Sequence, residues 1–213
     1  DIAGQPAVTA DGTTIGIFAN IERLEELDIL PKNNIDGIGL FRTEFLFMYE
    51  QPDFPSMEQQ MEWYRKTINF MNGKAVTIRI LDIGGDKFLS YFAMGRQDNP
   101  YLGLRGGSRV FQYHPELLET QLRAILEAAN GSKVRILYPM VNTPEDIELF
   151  KNIFSKTMED YDSELEIGIM IETPASAFII DDLIKEVDFV SIGTNDLVQY
   201  TLTADRNNEN VMR

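Results

Sequence analysis

Gly37-Ile38-Gly39-Leu40-Phe41 runs without a break into Arg42-Thr43-Glu44, an apolar stretch that ends on three polar side chains. A strand covered on both faces reads as continuous apolar residues rather than as alternation, and such strands belong to parallel sheets flanked by helices. The same shape recurs along the chain. Thr77-Ile78-Arg79-Ile80-Leu81 leads into Asp82-Ile83-Gly84-Gly85-Asp86-Lys87, Ile167-Gly168-Ile169-Met170-Ile171 ends in Glu172, and Val190-Ser191-Ile192-Gly193 ends in Thr194-Asn195-Asp196. After a hairpin turn at Asp11-Gly12, strands are predicted over 15–20, 37–42, 75–83, 134–141, 165–172 and 189–196.

Helical patterns fill the gaps. Met57, Met61, Tyr64, Ile68 and Met71 fall on one face of a helix over 56–71, read as packing against the sheet rather than as an adaptable binding stripe. Thr143-Pro144 and Thr173-Pro174 each place a threonine N-cap before a proline at the first helical position. A helix from Pro115 stops at Asn130-Gly131.

Repeated strand–helix units require a parallel sheet, either open and doubly wound or closed into a barrel. No dinucleotide-type glycine fingerprint follows the first strand, which disfavours the dinucleotide-binding version. Six units are visible, short of the eight that close a barrel. The pattern alone leaves both architectures standing.

The 213 residues suffice for one substantial domain, 1–213, and 44% hydrophobic residues supply its core. No apolar run approaches the roughly 18 residues of a membrane span, and there is no cysteine for disulfides or thiolate metal sites. The expectation is a cytoplasmic protein. A net charge of −15 opposes nucleic acid and anionic membranes. It would also repel a small anion, so an anion site here needs locally clustered arginines or a divalent cation.

The strand ends supply both. Arg42, Arg79, Arg105 and Arg206 offer planar forks for phosphate and carboxylate oxygens. Glu172 and Asp196 offer hard oxygen ligands of the kind magnesium takes. Singly, such an arginine commonly sits in a structural ion pair, such a carboxylate caps the next helix, and Gly84-Gly85 is a turn. Together, on successive strand ends that share a rim, they suit a ligand bearing both phosphate and carboxylate.

The strings GLFRTEFLFM (39–48), RILDIGGDK (79–87), NPYLGLR (99–105), IETPA (171–175), SIGTNDL (191–197) and QYTL (199–202) with Asp205-Arg206 resemble enzyme I of the bacterial phosphotransferase system, in the phosphoenolpyruvate-utilising family. The resemblance runs through essentially the whole chain, in order. It implies an α/β fold, a (β/α)8-type TIM barrel that binds phosphoenolpyruvate and magnesium and forms a homodimer, here incomplete. Arg42 and Arg79 match phosphate-binding arginines, and Arg105, Asn195, Asp196 and Arg206 match further substrate contacts. Glu172 and Asp196 match the magnesium ligands. The implied reaction passes phosphate to a histidine on a separate domain and on to a histidine-containing phosphocarrier protein.

Two departures qualify that expectation. The family's cysteine proton donor and phosphohistidine have no counterpart, so no catalytic residue is assigned and the chain alone is expected to be catalytically incomplete. Asp1 and Arg213 look like cuts in a longer protein, with about 50–60 further residues needed to finish a barrel. His114, the only histidine, is read as surface or capping polarity. At Gly106-Gly107 bulkier residues are usual in relatives, which leaves the loop geometry beside Arg105 open. The alternatives are a phosphoenolpyruvate synthase or pyruvate phosphate dikinase relative, and a non-catalytic regulatory barrel.

Overall fold

Backbone hydrogen bonds join six parallel strands in strict chain order, β3 (Phe18–Ile21), β4 (Gly37–Arg42), β5 (Ala75–Arg79), β6 (Val134–Tyr138), β7 (Glu166–Ile171) and β8 (Phe189–Ile192). The computed structural model describes residues 5–31, 34–48, 53–85, 87, 89–92, 95, 97–161, 165–205, 208 and 210–211. A sheet whose neighbours are all consecutive, with crossovers of one hand, curls rather than spreading in two directions from a switch point. The result is a half-barrel. The choice left open by the apolar pattern falls to the barrel, with β3 and β8 as its two edges among the described residues.

The predicted strand over 15–20 divides in two. Thr14–Ile15 (β2) pairs antiparallel with Ala7–Val8 (β1) in the hairpin around Asp11-Gly12, and the parallel sheet starts only at Phe18. The predictions over 75–83 and 134–141 run past the ladders, which end at Arg79 and Tyr138. Just beyond, the Ile80 N–H still donates to the Leu137 carbonyl at 3.1 Å, while Leu81, Ile83 and Val141 are apolar because they are buried in loops over the barrel end.

Successive residues of a strand point to opposite faces. Phe41, Ile78, Ile136, Ile169 and Ile171 join the core shared with the helices, where α2 (Met57–Met71) packs along α4 (Pro115–Ala129). Tyr64, Ile68 and Met71 belong to that core and Met57 and Met61 pack against it, so the methionine stripe is a packing face. Ser56 caps α2 through a reciprocal bond with Gln59, and Asn72 ends it in the left-handed conformation. α4 ends likewise at Asn130. Thr143 opens α5 (Pro144–Met158), and the Thr173 hydroxyl accepts from Ser176 N–H at the start of α6 (Pro174–Phe178). His114 occupies the N-cap position of α4 without a side-chain cap bond; its ring meets Glu116 and the edge of Phe92.

Candidate functional site

The inward-facing alternate residues reach the strand ends as Arg42, Arg79 and Glu172. Arg42 and Arg79 are register partners across β4 and β5. They line a cavity of about 520 Å³ together with Lys87, Glu172, Asn195 and Asp196. Most of the predicted site residues therefore share one concave rim.

Arg42 is partly exposed and paired with Glu22. Arg79 is buried. Its Nη2 donates to Glu44 Oε1 at 2.8 Å and lies 3.9 Å from Asp82 Oδ2, while its Nε has no hydrogen-bond partner among the described residues. Glu44 Oε1 also accepts from the Asp82 backbone N–H at 3.1 Å, so one carboxylate from the first turn of α1 (Glu44–Met48) fixes both the guanidinium and the next loop.

That loop turns at Gly84-Gly85. Gly84 has φ 108°, and an added Cβ would lie 2.8 Å from Arg105 Cα, so only glycine fits the approach. Reciprocal backbone bonds of 3.1 Å between Gly84 and Lys87 fold the chain back on itself. Lys87 Nζ then donates to Asp82 Oδ2 at 2.6 Å. Burial pushes the Asp82 carboxyl up, but Lys87, Arg79 and Arg105 outweigh it and hold the carboxyl below the usual carboxylate range.

Arg105 is the largest fully buried side chain among the described residues. Its Nη1 lies 2.7 Å from Asp196 Oδ1 and donates to the Tyr200 hydroxyl at 2.8 Å, and its Nη2 is 3.7 Å from Asp82 Oδ2. It does not line the main cavity. It reaches that cavity through Asp196 and itself borders a neighbouring pocket with Met140, Thr173 and Tyr200. Arg206 lies outside the described residues.

Glu172 is 1% exposed, and its Oε1 accepts from Met140 N–H at 2.7 Å. Burial, reinforced by the negative charge of Asp82, pushes its carboxyl up to about 7. Asp196 sits in the first turn of α8 (Thr194–Leu202), and Asn195 beside it is exposed on the cavity wall. Around the cavity four cations, Arg42, Arg79, Lys87 and Arg105, stand against five carboxylates, Glu22, Glu44, Asp82, Glu172 and Asp196. Two of those carboxylates, Glu172 and Asp196, line the pocket itself, Asp196 with Arg105 beside it. That donor set suits a divalent cation with oxygen preference, although among the described residues no cluster of three or more metal-ligating side chains is present.

Over residues 1–213 the chain matches the family described as PEP-utilising enzyme, PEP-binding domain. The chain belongs to this family. It is 45% identical over 210 residues to a phosphoenolpyruvate-protein phosphotransferase of Buchnera aphidicola subsp. Acyrthosiphon pisum, an alignment covering 95% of the chain and 36% of the relative. Identity to the protein of the same name from Haemophilus influenzae is 41%, covering 96% of the chain and 36% of the relative. For that from Haloferax volcanii it is 41%, covering 99% and 39%. The chain thus spans little more than a third of the length of these curated relatives.

Within this PEP-binding domain, sequence reasoning assigned no role to Glu44, Asp82 or Lys87. All three stand inside the motifs that revealed the family. Their spacing does not show that a glycine turn folds Lys87 onto Asp82, or that Glu44 reaches across to Arg79.

Proposed function

We propose that this chain is the phosphoenolpyruvate-binding domain of a phosphoenolpyruvate–protein phosphotransferase. The parent protein would transfer the phosphoryl group to its own histidine and on to the phosphocarrier protein of sugar uptake. The observation that carries the reading is the register pairing of Arg42 with Arg79 beside Glu172 and Asp196 on a single cavity. Family membership over the whole chain and the relatives' shared name support it.

Arg42 and Arg79 would bind the phosphoryl oxygens, since both line the cavity. As the bridging C–O–P bond breaks, these fixed guanidinium groups would offset charge on the transferring group and on the enolate oxygen left behind. Asn195 on the wall would orient the carboxylate end, and Lys87 beside Asp82 would add a further cation. Glu172 and Asp196 would hold magnesium, which when bound supplies further positive charge for the anionic ligand. Glu44 and Asp82 would hold the Arg79 guanidinium in place before the ligand arrives. Acceptor histidine and enolate proton donor would come from elsewhere in the parent protein, a cytoplasmic homodimer on this reading. No helix among the described residues is long and apolar enough to cross a membrane.

Titration calorimetry of phosphoenolpyruvate into the chain, with and without magnesium, tests the reading. Binding heat that appears only with the metal is expected. Equal heats in both conditions would remove the metal assignment, and no heat in either would remove the ligand.

A further inference from the structure

Met140 is one of only four described non-glycine residues with positive φ, at 56°, and the other three end helices as caps. For an unbranched residue outside a helix cap this left-handed conformation costs free energy, and such outliers persist where the surroundings enforce them. Here it turns the Met140 N–H onto Glu172 Oε1 at 2.7 Å, while the Met140 carbonyl accepts from Asn142 Nδ2 at 2.9 Å. On the other side of the carboxylate, a Cβ added at Gly193 would lie 2.7 Å from Glu172 Oε2. The carboxylate is therefore bonded from the Met140 side and closely approached by the Gly193 backbone on the other.

Behind Met140 stands Gly106. It has φ 80°, and an added Cβ would overlap Met140 Cβ and lie 2.6 Å from its Cγ. The residue before it, Arg105, holds Asp196 through its side chain at 2.7 Å. Two adjacent residues of one loop thus reach both acidic residues of the cavity, one by a guanidinium and one by backbone packing through Met140.

We propose that the left-handed Met140 backbone, seated against Gly106, is the positioning element that fixes the Glu172 carboxylate for a divalent cation. The proposal rests on the reading of Glu172 and Asp196 as the cation's ligands. Neither Met140 nor Gly106 touches the cation; both act through Glu172. Residues of this supporting kind typically change metal affinity by about 10–100-fold when altered.

The test is Mn2+ affinity, read by the loss of the free-ion electron paramagnetic resonance signal, on the chain with Gly106→Ala alone, Met140→Gly alone and both together. Met140→Gly keeps the N–H and the left-handed conformation while deleting the side chain that Gly106→Ala would strike. Gly106→Ala is expected to weaken Mn2+ binding roughly 10–100-fold in the Met140 background and to change it little in the Met140→Gly background. Its thermal destabilisation, caused by positive φ, persists in both. Should Gly106→Ala not fold, Gly106→Asn keeps the clash with a residue that tolerates this conformation. Unchanged affinity in the folded single variant, or the same loss in both backgrounds, would overturn the proposal. The unaltered chain and Glu172→Gln separate the two levels. Absence of Mn2+ binding by the former, or unaltered binding by the latter, would overturn the ligand assignment and the proposal with it.

Discussion

Arg42 and Arg79 stand directly opposite each other on neighbouring parallel strands, so their side chains leave one face of the sheet at one height. Their surroundings differ. Arg42 is held at a half-open rim by Glu22, whereas Arg79 is enclosed with Glu44 and Asp82.

That difference separates binding from stability. Arg79→Ala should cost about 2–5 kcal/mol of phosphoenolpyruvate binding. It should also cost about 3–5 kcal/mol of folding stability, because Glu44 and Asp82 lose a buried partner. Arg42→Ala should weaken binding while changing stability by no more than about 1 kcal/mol. Calorimetry and urea unfolding of both variants read the two quantities. Equal stability losses would contradict the burial difference.

The Glu172 carboxyl, raised to about 7 from an ordinary 4.5, binds its proton more tightly in the folded chain than in the unfolded one. Its contribution to stability is therefore full below pH 4.5 and is lost as pH rises to about 7. With a chelator present, melting temperature should fall across that window, and Glu172→Gln should flatten the fall. Asp82 acts in the opposite sense at lower pH, since its carboxyl is held below the usual range. Magnesium, which needs the deprotonated carboxylate, should bind more tightly as pH rises to about 7 and then level off. A pH slope identical in the chain and in Glu172→Gln would exclude this residue as its source.

Tyr200 accepts from Arg105 Nη1 at 2.8 Å and donates to the Tyr101 carbonyl at 2.6 Å. Tyr200→Phe keeps the ring beside the guanidinium and deletes both bonds, so unfolding in urea should show a loss of about 1–3 kcal/mol. A neutral result would mean that water replaces the hydroxyl on Arg105.

β3 and β8 each pair on one side only among the described residues, and Phe18, Val190 and Ile192 on them are exposed apolar side chains. Unpaired edges of this kind recruit further strands. Light scattering of this chain should show association that grows with concentration. A single monomeric species across the range would count against edge pairing.

Much of the fold could be read directly. The predicted strand over 37–42 matches β4, whereas that over 189–196 runs past β8, whose end at Ile192 gives way to α8 from Thr194. Around 15–20 the reading failed at a point where hairpin and sheet abut, since extended residues look alike whichever partner they hydrogen-bond. The predicted arginines and acids could be named because charged residues at the ends of buried strands are costly without a purpose.

By itself the sequence determined the parallel strand–helix alternation, the anionic balance that demands local cations, and the motifs that carry family membership. Those properties are local or additive along the chain. Tertiary structure alone decided that the sheet curls, that Arg105 serves the cavity through Asp196, and that Glu44, Asp82 and Lys87 complete one buried charge network. It also decided the seat of Met140 against Gly106. Each of these depends on the distance between residues remote in sequence, which loop conformation and packing set and which no spacing of letters encodes.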